Sequence, residues 1–150
     1  MRSSFPTLNA TNLKTALVEG NKVVSYAALN LRCDRFASGL LRGEIGRKAD
    51  IEEERIAFFM PASIDYVTTM HGIWRAGGIA VPLNVASAVT ELEHYLTSAS
   101  VSRMIANGDY RESLVDLCAA LNIELLSVDD IITDEAATLP AIAPERRAMM

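Results

Sequence analysis

The sequence predicts an α/β fold: a parallel sheet with flanking helices, built from βαβ units, with a small hairpin at its N-terminal end. Short apolar segments with strand character alternate with longer segments in which apolar residues recur every three or four positions. Between residues 55 and 83 a strand, a helix and a second strand follow one another, which is the order of a βαβ unit with parallel strands.

Length and composition restrict the class of protein. The 150 residues are enough for one domain with its own core, and 50% of them are hydrophobic. A formal net charge of −5 argues against a nucleic-acid or membrane-surface binder, and no apolar run is long enough to span a bilayer. No secretory signal is visible, and Cys33 and Cys118 occupy apolar positions of helical patterns, where buried free thiols are expected. The chain is therefore predicted to be cytoplasmic, with no nucleic-acid or membrane partner.

The first elements are a hairpin and a helix. Strands are predicted over residues 15–18 and 22–24, joined by a turn that contains Gly20. Ser25 is a suitable N-cap for a helix over residues 26–41. The apolar stripe of that helix comprises Tyr26, Leu29, Cys33, Phe36 and Leu40.

The βαβ unit comes next. After residues 48–54, which are charged and predicted to form a solvated loop, residues 55–60 read as a buried strand. Ser63 is predicted to cap a helix with an apolar face, and Gly77-Gly78 to end it before a strand over residues 79–83. Because a proline has no N–H for a ladder, Pro82 is expected at a strand end or sheet edge. The helix face comprises Ile64, Val67, His71 and Trp74.

The alternation continues through two further strands, over residues 103–106 and 124–128. Capping boxes at residues 90–93 and 109–112 predict the starts of the helices before each of them. The second of these helices should bury Leu114, Leu117, Cys118 and Leu121. Residues 1–132 are thus predicted to form the α/β unit and residues 133–150 a linker or frayed tail.

Three stretches, in order, resemble the N-terminal part of the large domain of an AMP-forming acyl-CoA synthetase. Ser25-Tyr26-Ala27-Ala28-Leu29 is similar to the family's Ser/Thr-Tyr-x-Glu-Leu. Residues 55–63 are similar to its hydrophobic strand that ends in a proline and a small polar residue. Residues 75–83 are similar to its Arg/Lys-Ala-Gly-x-x-x-Val-Pro-Leu, with Glu91-Leu92 following. The resemblance covers about residues 15–130, and Ala28 departs from it where the family has a glutamate that completes a capping box.

The resemblance implies an activity for a full-length enzyme. Members of the family activate a carboxylic acid with ATP and transfer the acyl group to a thiol, so ATP, Mg²⁺ and CoA are implied. The family's phosphate loop, ribose-binding acid, adenine-stacking aromatic and catalytic lysine have no match here, and residues 144–150 resemble the segment just ahead of that loop. We therefore expect no catalytic, cofactor-binding or metal-binding residues in this chain, and no cofactor bound by this segment alone.

The branch of the family stays open. Glu53-Glu54-Arg55-Ile56, Gly77-Gly78 and Val81-Pro82-Leu83 resemble the malonyl- and methylmalonyl-CoA synthetase branch. Medium- or long-chain acyl-CoA synthetases and peptide-synthetase adenylation domains share the remaining features.

Several residues could suggest chemistry, but a structural role accounts for each. His71 lies on an apolar helix face, and His94 is the only other histidine, so core packing is expected rather than metal binding. Glu91 and Glu93 are better explained by capping and the helix dipole than by acid–base catalysis. Gly77-Gly78 follows a helix, whereas a dinucleotide loop precedes one. Arg146-Arg147 is expected in an exposed tail rather than on a phosphate.

Two functional hypotheses follow. The first is an N-terminal fragment of an ATP-dependent acid–CoA ligase, which is catalytically incomplete and whose partner is the remainder of the synthetase. The second is a non-catalytic α/β module that binds a partner or self-associates through surface that the missing sheet would cover. A downstream Ser/Thr/Gly-rich loop with a lysine would support the first, and a stop codon after Met150 the second.

Overall fold

The computed structural model describes residues 12–42, 50–136 and 138–150, in which a two-stranded hairpin precedes a four-stranded sheet. The strands and helices have the following bounds: β1 (Thr15–Glu19), β2 (Lys22–Ser25), α1 (Tyr26–Leu40), β3 (Arg55–Phe59), α2 (Ile64–Ala76), β4 (Ile79–Leu83), α3 (Val89–Ser98), β5 (Arg103–Ile105), α4 (Gly108–Ala120), β6 (Glu124–Leu126) and α5 (Val128–Ile131).

The four-stranded sheet is parallel and has the order β4-β3-β5-β6. The central strand β3 pairs with β4 over its whole length, from Arg55 opposite Ile79 to Phe59 opposite Leu83. The hairpin β1–β2 is antiparallel and forms a separate sheet. The predicted fold class is therefore confirmed, and Pro82 lies in the edge strand β4, as expected for a residue without an N–H.

Both faces of the sheet are covered, because side chains on β3 point alternately to opposite sides. Ile56 and Phe58 face a core formed mainly with α1 and α2, while Ala57 and Phe59 face a core formed mainly with α3 and α4. All four residues are buried. This explains why β3 reads as a continuous apolar segment rather than an alternating one.

The start of α1 is satisfied by both a side chain and the hairpin. Ser25 Oγ accepts the Ala28 N–H at 3.1 Å, so Ser25 is the N-cap that the sequence predicted. The Tyr26 and Ala27 N–H groups donate to the carbonyls of Lys14 and Asn12. Three of the four orphan donors of the helix therefore have partners.

Restoring the acidic residue at position 28 should stabilise the fold. Ala28 is exposed at the third helical position, and the first turn of α1 contains no acidic residue. Ala28→Glu is expected to raise the free energy of unfolding by about 0.5 kcal/mol, mainly through the helix dipole. Urea midpoints measure this, and Ala28→Gln is the control that lacks the charge. A lower midpoint for Ala28→Glu would contradict the prediction.

The helices α3 and α4 begin earlier than the two capping boxes predicted. Helix α3 has Ala88 at its N-cap position, and Glu91 accepts the Ala88 N–H at 3.2 Å, so Thr90 is not the cap. Helix α4 has Asn107 at its N-cap position, two residues before Asp109. The Asn107 side chain bonds across the fold instead of capping its own helix, as described below.

The prediction of a solvated loop over residues 48–54 holds at Glu52, which is exposed, but is wrong at the start of the described part. Asp50 and Ile51 are buried, with relative exposures of 6% and 4%. The Ile51 N–H donates to the Ala76 carbonyl and the Glu53 N–H to the Gly77 carbonyl. The segment is charged yet ordered because its backbone packs on the turn between α2 and β4. Lys48 and Ala49 lie outside the described residues.

The short helix α5 replaces the end of the last predicted strand. Strand β6 ends at Leu126, and Ser127 caps α5 by accepting the Asp130 N–H at 3.2 Å, while Asp130 accepts the Ser127 N–H at 2.9 Å. The reciprocal bonds form a capping box. They hold Val128 and Ile131 in the core beside α1.

Candidate functional site

Polar side chains converge near the carboxyl ends of β3 and β5, the edge at which parallel sheets usually bind ligands. Asp65, in the first turn of α2, accepts from Arg32 of α1 at 2.5 Å and from Asn107 Nδ2 at 3.0 Å. Asn107 Oδ1 in turn accepts the Val128 N–H at 3.0 Å. One carboxylate thus links α1, α2 and the segment before α4, which gives this network a structural role.

A cleft of about 440 Å³ opens beside this network, between the hairpin, α1 and α2. Glu19 accepts the Ile64 N–H at 3.2 Å, and Arg32 is paired with Asp65. Two acidic and two basic residues line the cleft, together with apolar side chains. Among the lining residues that the structure describes there is no serine, threonine, cysteine or histidine that could act as a nucleophile. The lining residues are Glu19, Lys22, Val23, Val24, Arg32, Ile64 and Asp65.

A second polar cluster lies at the opposite, amino end of the sheet. Both terminal nitrogens of Arg146 donate to Asp50, at 3.1 and 3.0 Å. The backbone N–H of Arg147 donates to Glu53 at 3.0 Å, and Trp74 Nε1 donates to the Ala148 carbonyl at 2.6 Å. The expectation of an exposed Arg146 is therefore wrong, whereas Arg147 is exposed. Arg146 and Asp50 are far apart in the chain, so no local pattern could reveal their pairing.

Residues 146–150, which make these contacts, are the last part of the segment over residues 133–150 that is predicted to be a linker or frayed tail. Residues 148–150 lie against the outer edge of β4, where Ala80 is bridged in parallel to Met149. The boundary after residue 132 stays a prediction.

His71 is buried in α2 and packs edge-on against Trp74, with ring centroids 5.0 Å apart. Burial lowers the pKa of His71 below its usual range, and the positive charge of Arg75 lowers it further. Neutral histidine in an aromatic contact agrees with the predicted packing role. His94 is exposed on α3, and the ring contact recorded for it is with Tyr95 rather than with His71.

The two cysteines are free and buried, as the sequence predicted. Burial raises the pKa of Cys33 to about 11, and burial also raises the pKa of Cys118. A thiol whose pKa is raised is rarely ionised at neutral pH, so neither cysteine has the character of a nucleophile.

The remaining candidates have structural roles. Gly77 ends α2 in the left-handed conformation, with φ of 91°, as predicted for a helix stop. Glu91 caps α3, and the Glu93 side chain is exposed.

Neither a metal centre nor a membrane span emerges from the described part of the chain. Over residues 12–42, 50–136 and 138–150, no three His, Cys, Asp or Glu side chains are grouped so that they could hold a metal ion. In those same ranges no helix is long and apolar enough to cross a membrane. The expectation that the chain contains no site residues stays a prediction.

Comparison with known proteins identifies the family. The sequence profile of the AMP-binding enzymes matches residues 7–147. The human mitochondrial malonate–CoA ligase is 29% identical over 133 residues, which are 87% of this chain and 23% of that enzyme. A feruloyl-CoA synthase from an Amycolatopsis species is 30% identical over 128 residues, which are 84% of this chain and 25% of that enzyme. The fold also resembles the crystal structure of ATP-bound MatB from Rhodopseudomonas palustris, with a TM-score of 0.75 at 21% identity, over 93% of this chain and 29% of that one.

The chain belongs to the AMP-binding enzyme family, because the family profile covers almost all of its residues. It spans about a quarter of the length of the curated relatives that it matches. The resemblance to acyl-CoA synthetases seen in the sequence is thereby confirmed.

Proposed function

We propose that this chain is the N-terminal part of an ATP-dependent acid–CoA ligase and is catalytically incomplete alone. The proposal rests on the family match, which covers residues 7–147 of this chain. The matched stretch makes up only about a quarter of the length of each full-length relative. The chain contributes a parallel sheet, its helices and the hairpin. The groups that bind ATP and catalyse adenylation are supplied by the remainder of the enzyme, which is its main partner.

The substrate of the full enzyme is a carboxylic acid, and its cofactors are ATP, Mg²⁺ and CoA. Within the family we favour the malonyl- and methylmalonyl-CoA branch. The likeness of residues 53–56 and 77–83 to that branch supports this, as does the identity to human malonate–CoA ligase. Feruloyl-CoA synthase and long-chain-fatty-acid–CoA ligase match this chain at comparable identity. Activity assays of the full enzyme with the three kinds of acid therefore test which carboxylic acid is its substrate. We also propose a cytoplasmic location.

Adenylation gives the direct test. The chain alone is expected to catalyse no ATP–pyrophosphate exchange with malonate, a hydroxycinnamate or a long-chain fatty acid, because exchange requires a bound acyl-adenylate. A complete acid–CoA ligase run beside it shows that the assay works. Steady, acid-dependent exchange by the chain, well above a blank, would overturn the proposal that it is incomplete.

A non-catalytic α/β module that binds a partner or self-associates is the alternative. Its self-associating form predicts that the chain forms dimers or larger oligomers at micromolar concentration, which sedimentation velocity measures. A clean monomer that binds no apolar dye would argue against self-association.

A further inference from the structure

The two carboxylates that line the cleft between the hairpin, α1 and α2 are already engaged within the protein. Asp65 accepts from Arg32 with one oxygen and from Asn107 with the other. Glu19 accepts the Ile64 N–H, at the N-terminal end of α2. One acid is thus paired with a guanidinium and the other with the positive end of a helix dipole. Neither carboxylate is left to bind a cation.

The two cations of the lining are less well satisfied than the acids. Lys22 lies opposite Glu19 in the hairpin register, yet its ammonium group makes no ion pair or hydrogen bond within the described residues. Arg32 donates to Asp65 through Nη2, and its Nε is buried without a partner among the residues that the structure describes. A guanidinium has five N–H donors and an ammonium has three. The cleft therefore has donors to spare, whereas its acceptors are in use.

Apolar side chains form the rest of the lining. Val23 and Val24 belong to β2, and Ile64 is the first residue of α2. Val23 is 63% exposed, so a ligand that covers it removes apolar surface from water. The cleft volume of about 440 Å³ lies within the range of about 300–1,000 Å³ that is typical of small-molecule sites. This lining suits a ligand that has a hydrocarbon part beside its polar group.

We propose that this cleft binds a small organic anion, an acidic group on a short hydrocarbon chain, with Lys22 as its main charge contact. The ligand is an anion because the ammonium group of Lys22 is unpaired while both acids of the lining are engaged. It is organic because Val24 and Ile64 lie in the same lining as Lys22. The inference rests on the cleft alone and holds whether or not the chain is part of a ligase.

Amide chemical shifts of the full chain, titrated with hexanesulfonate, test the site. A sulfonate cannot form an acyl-adenylate, so its binding is independent of the proposed enzymatic reaction. We expect saturable shifts of the Val24 and Ile64 amides with a dissociation constant in the millimolar range, because the ligand is small and has one main charge contact. Hexanol has the chain without the charge, and inorganic sulfate has the charge without the chain. Each should bind at least about ten-fold more weakly than hexanesulfonate.

Lys22→Gln removes the proposed charge contact. Lys14→Gln is the matched control, because Lys14 is also exposed but does not line the cleft. Lys22→Gln should weaken the binding of hexanesulfonate by at least about five-fold, as expected for the loss of a charge-assisted contact near solvent. Lys14→Gln should bind within about two-fold of the unchanged chain. Circular dichroism shows whether each variant keeps the fold.

Each other outcome would overturn the proposal. Equal affinity of Lys22→Gln and the unchanged chain would remove Lys22 from the site. Sulfate that binds as tightly as hexanesulfonate would show an anion site without an apolar part, and hexanol that binds as tightly would show an apolar site without a charge requirement. Unmoved Val24 and Ile64 amides at saturating hexanesulfonate would show that the cleft is not the site. These last comparisons use the unchanged chain, so they decide the question even if Lys22→Gln does not fold.

Discussion

Replacing Trp74 with alanine is expected to lower the free energy of unfolding by about 3–5 kcal/mol, enough to unfold much of a marginally stable chain. Trp74 is 8% exposed and belongs to the core between the sheet and the helices α1 and α2. Truncation removes a large apolar side chain, its edge contact with His71 and its hydrogen bond to the Ala148 carbonyl. The loss of packing dominates because the cavity cannot fully collapse.

Trp74→Phe separates packing from hydrogen bonding. It keeps an aromatic ring in the core but cannot donate to the Ala148 carbonyl, which still accepts the Ala80 N–H. We expect it to cost about 1–2 kcal/mol, clearly less than alanine. Urea unfolding followed by circular dichroism measures both variants. A Trp74→Ala chain within about 1 kcal/mol of the unchanged protein would show that the indole is not a core anchor.

Gly39→Ala is the second change with a large expected effect, because a backbone group occupies the place of the added methyl. A Cβ at position 39 would lie 1.7 Å from the Ile131 carbonyl oxygen, so α5 must move away from α1. Displacing α5 exposes Val128 and Ile131, which are buried in the core. A net loss of about 1–3 kcal/mol is expected, even though alanine favours a helix by about 1 kcal/mol over glycine.

A double-mutant cycle identifies α5 as the cause. Ile131→Ala alone should destabilise the chain, but it should add little on top of Gly39→Ala, since the Ile131 side chain has then already left the core. Strict additivity of the two changes, or a Gly39→Ala chain as stable as the unchanged one, would show that α1 and α5 do not approach each other as closely as described.

The parts of the fold that follow from local pattern were predictable from the sequence. The helical periodicity of α1, the caps at Ser25 and Ser63 and the stop at Gly77 all depend on residues close in the chain, and the structure confirms each of them. The alternation of strands and helices also predicted the parallel sheet, because neighbouring parallel strands must be joined by a crossover connection such as a helix.

Two of the failures, at Asp50 and at Asn107, share one physical cause, which is contact between residues distant in the chain. Asp50 is charged, and its local sequence predicts exposure, but Arg146 and the turn after α2 bury it. Asn107 occupies an N-cap position, yet its side chain bonds to Asp65 and to the Val128 N–H. The helix α5 is a different case, because Ser127 and Asp130 form a capping box that is local in the sequence. The predicted strand over residues 124–128 includes both the capping serine and Val128, so the sequence analysis does not predict this helix.

The mass of the native gene product tests the central claim most directly. An antibody raised against this chain, used on extracts of the source cells, measures the size of the polypeptide that contains it. The account predicts a polypeptide about four times as long as the matched stretch, because 133 matched residues are 23% of human malonate–CoA ligase. A single product of 16.3 kDa, the mass of this chain, would contradict the account and favour an independent, non-catalytic module.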